Sequence, residues 1–207
     1  MIPVKVLAVQ YLSAVTPELS RALGTDAPCL GLITTDSDDP TYIALDQATK
    51  DAQVSVCYGR SFYAGAANAS APFSGEVIGI LAGPTPGAVR SGMESALSEL
   101  QRVGFEEING VPCLAHTVSR CGSFLAKEAG VSEGTPIAYL IAPPLESMYA
   151  MDAALKAADV KLCKLYTPPT ETNFGGGLLT GTQSACAAAC AAFRDAVAEV
   201  ADNPKKE

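Results

Sequence analysis

The chain is written twice. "DQATKDAQVSVC", Asp46 to Cys57, and "DAALKAADVKLC", Asp152 to Cys163, share Asp, Ala, Lys, Ala, Val and Cys at an offset of 152 − 46 = 106 residues. Gly24 recurs as Gly130 at the same offset, Leu7-Ala8 as Leu114-Ala115 at 107, and Pro28 and Leu32-Ile33 as Pro136 and Leu140-Ile141 at 108. Gly83 recurs as Gly181 at 98, so the second copy is about eight residues shorter between the matched cysteine and this glycine. An offset near half of 207 residues means two copies of one domain rather than a many-unit solenoid. The polar, turn-forming "EEINGVP" sets the divide, giving residues 1–109 and 110–207.

Both copies read in one order. An alternating strand, "VKVLAVQYL" or "PCLAHTVS", is followed by a short helical segment, "PELSRALG" or "SFLAKEAG", that ends in a glycine. A buried strand, "CLGLIT" or "IAYLIA", precedes a helix. In the first copy Pro40 opens that helix, with Asp39 as its cap. Alanines recur every four residues on it in both copies, at 44, 48 and 52 and at 150, 154 and 158, which permits close packing on a sheet. Two further strands and a long helix complete a β-α-β-α-β-β-α order, an α/β sandwich. No GxGxxG follows a strand, so a dinucleotide fold is not indicated. The opening "MIPVKVLAVQYLSAV" is read as structural, because it has a mid-chain counterpart.

Composition narrows the partners. A net charge of −8 argues against nucleic acid and anionic membranes, and no apolar run is long enough for a bilayer. The seven cysteines lack a CxxC pair and His116 is the only histidine, so reduced, buried thiols fit better than zinc. His116, with a counterpart near Val9 and no partner base in view, reads as structural.

"SDDPTYIALDQATKDA", "YGRSFYAGAA", "AYLIAPPLESMYAMDAALKAADV" and "TPPTETNFGGGLLTGTQSACAAACAAF" together resemble the L-type, tandem-domain shell proteins of ethanolamine-utilisation bacterial microcompartments, across nearly the whole chain. The order of elements matches the circularly permuted variant of that domain. The resemblance implies a non-enzymatic homotrimer of six domains, a pseudohexamer that tiles beside other shell proteins in a microcompartment shell in the cytoplasm. A small-molecule-sensing α/β domain and, less well supported, a hydrolase are the competing functions.

The resemblance also assigns residues. Lys50 and Lys156, in matched "DAxxK"-like helices, would line the tile edge. Two long loops, Tyr58 to Gly75 and Lys164 to Gly177, would frame and gate a central pore through Ala64, Gly65 and Asn68 and through Thr172, Asn173, Phe174, Gly175, Gly176 and Gly177. Three glycines in a row suggest a backbone free to change shape. No cofactor is required; a cobalamin near the axis is possible, though the loops offer no evident axial ligand.

"ITTDSDDPTY", Ile33 to Tyr42, clusters three carboxylates. Phosphoryl transfer fits poorly, because Pro40 stands where such enzymes place Thr or Val and no second motif follows. The calcium-loop pattern lacks its glycine and distal glutamate. An organic cation fits best. The resemblance implies an ethanolamine site from Asp36, Asp38, Asp39, Glu76 and Phe105. The second copy keeps only Glu146 in "IAPPLES", hence one site per chain.

Overall fold

A computed structural model describes residues 1–62, 76–168 and 170–205. The chain forms two compact units. The first holds Pro3–Val103 together with Gly122–Leu125; the second holds Met1–Ile2, Gly104–Cys121 and the chain from Ala126 on. The units therefore part at Val103/Gly104, ahead of the turn from which the sequence reading took its divide.

The first unit runs β1 (Val6–Leu12), α1 (Pro17–Ala22), β2 (Cys29–Thr35), α2 (Asp38–Asp51), β3 (Ser55–Phe62), β4 (Glu76–Gly83) and α3 (Pro86–Glu99). Its sheet is antiparallel in the order β1-β2-β4-β3. One face carries Ile33 and Leu81 against Ala44, Leu45 and Ala48 of α2 and Met93 and Ala96 of α3. The alanine stripe lets α2 lie close, and Gly79 closes the fit: a Cβ there would sit 2.5 Å from Leu45 Cδ1. The other face, Leu30, Ile80 and Ala82, packs with Val15, Leu23 and Ala27 from around α1.

The second unit adds a short strand at its start. β5 (Glu106–Ile108) and β6 (Val111–Val118) form a hairpin across Asn109 and Gly110, whose φ of 50° and 83° are those of the mirror-image turn that Asn-Gly favours. Then come α4 (Ser123–Ala129), β7 (Ile137–Ala142), α5 (Pro144–Ala157), β8 (Val160–Tyr166), β9 (Gly175–Gly181) and α6 (Gln183–Asp202), with strand order β5-β6-β7-β9-β8. Its core joins Ala138, Leu140 and Ala142 to Ala150, Met151 and Ala154 of α5 and to Cys186, Cys190 and Phe193 of α6. All seven cysteines are free thiols, and burial pushes Cys113 up to about 12.

The duplication extends to an irregularity. The β3–β4 ladder skips Cys57 between Val56 and Tyr58, and the β8–β9 ladder skips Cys163 between Leu162 and Lys164. Each matched cysteine is the extra residue of a bulge. Superposing the bulges corrects the sequence alignment. Leu81 pairs with Val56 as Leu179 pairs with Leu162, which matches Ile33 to Leu140, not Ile141, and Val9 to Ala115, not Ala8. The counterpart of His116 is then Gln10. Packing agrees: Ile33 and Leu140 both face the helices. The identical letters had aligned one residue out, a slip that would turn each side chain to the wrong face.

Candidate functional site

The acids sit where β2 hands over to α2. Asp36 and Ser37 separate Thr35 from the helix, and Asp38 and Asp39 form its first turn, where the helix dipole favours negative charge. Ser37 takes the N-cap position but makes no side-chain cap bond, so Asp39 is an early helical residue rather than the cap. The turn is pinned from below instead: Thr41 Oγ1 donates to Ser37 O at 2.7 Å and is hydrogen-bonded to Thr35 Oγ1 at the same distance.

Asp38 and Asp39 are each only 8% exposed. The Asp38 side chain accepts from the Asp39 amide at 2.9 Å, bonds the Ser61 hydroxyl on β3, and meets the Asp39 carboxyl within hydrogen-bonding reach. Ser61 also bonds Tyr42, one turn along α2. Burial raises the Asp38 carboxyl above the usual carboxylate range against these bonds, and raises the Tyr42 phenol, with the two aspartates adding to the latter shift. Ser37 Oγ is buried without a hydrogen-bond partner among the described residues.

Asp36 behaves differently. Its Oδ1 accepts from Lys5 N at 2.8 Å and its own amide donates to Lys5 O at 3.1 Å, so it ties down the start of β1. Glu76 opens β4 opposite Phe62, directly before Val77, the partner of both Thr35 and Ser61. Asp36, Ser61 and Glu76 thus occupy one end of one sheet. Phe105 belongs to the second unit, where it is 2% exposed and its ring lies 5.6 Å from Phe174. Sequence reasoning passed over Ser37, Tyr42 and Ser61; the i, i+4 spacing from Asp38 to Tyr42 was the available signal.

The loop assignments change in part. Tyr58 to Phe62 lie in β3, and Ala64, Gly65 and Asn68 lie outside the described residues. In the second loop Thr172 is buried, Asn173 is exposed with φ 62°, and Phe174 packs on Phe105. Thr170 Oγ1 donates to Phe174 O at 2.8 Å, closing a tight turn. Gly175, Gly176 and Gly177 are buried residues of β9, not a loose segment. Gly176 has φ 144°, and a Cβ there would lie 1.9 Å from Leu140 O. The glycines permit close approach of strands, which the sequence alone could not tell from mobility.

Lys50 Nζ stands 3.7 Å from the fully buried Asp46 and its side chain is 25% exposed; Lys156 pairs with Asp152 at 2.5 Å with its side chain 75% exposed. Among the described residues no group of three or more His, Cys, Asp or Glu is placed to hold a metal. Neither the Tyr58–Gly75 nor the Lys164–Gly177 stretch carries an imidazole or thiol that could ligate a corrinoid cobalt. No helix among the described residues is long and apolar enough to cross a membrane.

Over 205 residues the chain is 57% identical to the bacterial microcompartment shell protein EutL of Clostridium perfringens, covering 96% of this chain and 94% of that protein. The chain belongs to the EutL family of microcompartment shell proteins. EutL of Escherichia coli is 49% identical with the same coverage. The crystal structure of the ethanolamine utilization protein EutL from Leptotrichia buccalis superposes with a TM-score of 0.94 at 53% identity, over 100% of this chain and 98% of that one. Residues 29–111 match the BMC domain family. A trimeric shell protein, PduB, shares the fold at a TM-score of 0.80 and 18% identity, over 96% of this chain and 90% of its own. Like other EutL proteins, the chain is a structural component of a microcompartment shell and not an enzyme.

Proposed function

We propose that the chain assembles as a trimeric shell tile whose first unit binds ethanolamine, and that this binding serves passage of the small molecule across the shell. The observation that carries the reading is the buried contact between the Asp38 and Asp39 carboxyls. Two carboxyls in such contact hold a proton between them or accept a cation. A primary ammonium supplies three N–H donors to that pair and to the nearby hydroxyls. The hydroxyl of ethanolamine would satisfy Ser37 Oγ, which is buried and unbonded among the described residues. Glu76, at the same sheet end, adds a third negative charge near the mouth of the site.

A central channel framed by the 63–75 and 167–174 segments, lateral contact with other shell proteins, and edge packing through Lys50 and Lys156 complete the proposal. The turn closed by Thr170 and the packing of Phe174 on Phe105 would give the second segment a defined shape at the channel rim.

Calorimetry with ethanolamine tests the site. Asp38→Asn combined with Glu76→Gln is expected to weaken binding by at least about tenfold, the loss of one charge-assisted bond or more, with the light-scattering mass unchanged. Unchanged affinity would remove ethanolamine from these acids.

A further inference from the structure

The two residues that turn β5 into β6 also carry a reaction of their own. Asn109-Gly110 is the only Asn-Gly pair in the chain, and both residues are exposed at the hairpin tip. The Asn109 amide faces an acid: its Nδ2 donates to Oδ1 of Asp202, the last residue of α6, at 2.9 Å. The helix dipole disfavours a negative charge at a helix C-terminus, and the amide donor offsets part of that cost. Arg194 of α6 makes a second tie to β5, with Nε 3.3 Å from Glu106 Oε2.

An asparagine side chain is open to attack by the backbone nitrogen of the residue that follows it. In this turn the ladder pairs Ile108 with Val111, so the Gly110 N–H lies outside it. Glycine puts no side chain beside that nitrogen, and a Cβ at Gly110 would meet nothing within 4 Å, so a five-membered ring has room to form. β5 is three residues long and stands at the edge of its sheet, so opening the tip breaks few bonds. Other asparagines lack this setting. Asn173 has nearly the same backbone, φ 62° against 50°, and is exposed as well, but Phe174 follows it with its ring packed on Phe105. Asn203 precedes Pro204, which has no N–H.

We infer that Asn109 is a site of spontaneous deamidation, and that its conversion unpins the β5–β6 hairpin from the end of α6. The Gly110 nitrogen gives up its proton and bonds to Asn109 Cγ. The Cγ–Nδ2 bond breaks, and Nδ2 leaves as ammonia with that proton. Water then opens the ring at either carbonyl, leaving aspartate or isoaspartate. No oxidant or cofactor enters. Either product replaces the donor facing Asp202 with a carboxylate, on a hairpin that already carries Glu106 and Glu107. Two carboxylates in place of an amide–carboxylate pair repel each other. Isoaspartate also adds a carbon to the backbone, which a two-residue mirror-image turn does not accommodate. The reaction depends neither on the trimer nor on ethanolamine.

Peptide mapping by mass spectrometry on the folded full chain, aged at mildly alkaline pH, tests the site. Acid accumulates at position 109, as aspartate and isoaspartate, ahead of Asn68, Asn173 and Asn203. Hydrogen exchange reads the consequence. Asn109→Asp speeds exchange of the amides in residues 106–113 by about fivefold, the weight of one lost hydrogen bond. Adding Asp202→Asn puts a donor back opposite the new acid and restores the wild-type rate, which a merely misfolded hairpin would not do. A folded chain that stays intact at Asn109 while the urea-unfolded chain converts overturns the site. Conversion at Asn173 as fast as at Asn109 overturns the part given to Gly110. Wild-type exchange in Asn109→Asp, or a hairpin that stays loose in the double variant, overturns the unpinning.

Discussion

Helices α2 and α5 are one helix built twice, and they open differently. Each spans fourteen residues at the 106-residue offset, with a matched Asp, a matched Lys and an alanine stripe against its sheet. Yet α2 starts with two buried carboxyls, while α5 starts with Pro144 and Leu145, the latter 60% exposed. The scaffold needs no acid at those two positions, since α5 forms with Glu146 as the acid of its first turn. Burying Asp38 and Asp39 costs stability, and a cost present in one copy and absent from the other is not a requirement of the shared fold, which accords with the binding role proposed for them.

The comparison is broken most severely in the sheets. Gly176 matches Ile78 across the copies, so one position tolerates a full side chain and the other does not. Gly176→Ala drives a Cβ into Leu140 O and is expected to cost at least about 3 kcal/mol, seen as loss of soluble protein or a large fall in melting temperature. Asp46→Ala comes next. It strands two buried N–H groups and should lower stability by about 2–4 kcal/mol in urea unfolding at any protein concentration.

Asp38→Asn should stabilise the chain by about 1 kcal/mol at pH 7 without ethanolamine. Burial raises the folded-state pKa of Asp38. Its contribution to stability is therefore fully present below the ordinary value of 3.8 and is lost as pH rises through the raised one. The advantage of the variant should then shrink as the pH is lowered toward that value, which melting curves across the acid range would show. The smallest effect belongs to the lysines. Lys156→Ala should leave the melting temperature unchanged and reduce the formation of extended arrays in electron micrographs. Lys50→Ala should also soften the hold of Asp46 on the Gly122 and Leu125 amides, because its ammonium lies beside Asp46.

Much of this was legible in the residues. The repeat gave the order of elements, and the helix-ending glycines were placed by their need for positive φ, met at 71° in Gly24 and 66° in Gly130. Strand register was not legible. Matching Leu-Ala to Leu-Ala satisfies the letters, but only the ladder through the Cys57 and Cys163 bulges shows which face each residue takes. The three acids were visible as a cluster but not as different in kind. Asp36 is tied to the Lys5 backbone, while Asp38 and Asp39 turn to each other, and that division depends on β1 and β3, distant in sequence. The glycine triplet misled for a similar reason, since crowding by a neighbouring strand and freedom of the backbone select the same residue.

Between β2 and α2 stand two residues, Asp36 and Ser37; between β7 and α5 stands one, Pro143. The copies are thus separated there by a change of length as well as of letters. Substitution could write carboxylates at 144 and 145, but no substitution supplies the missing position. The shorter connection, and not only the letters at 144 and 145, keeps the second copy from repeating the turn that carries Asp38 and Asp39.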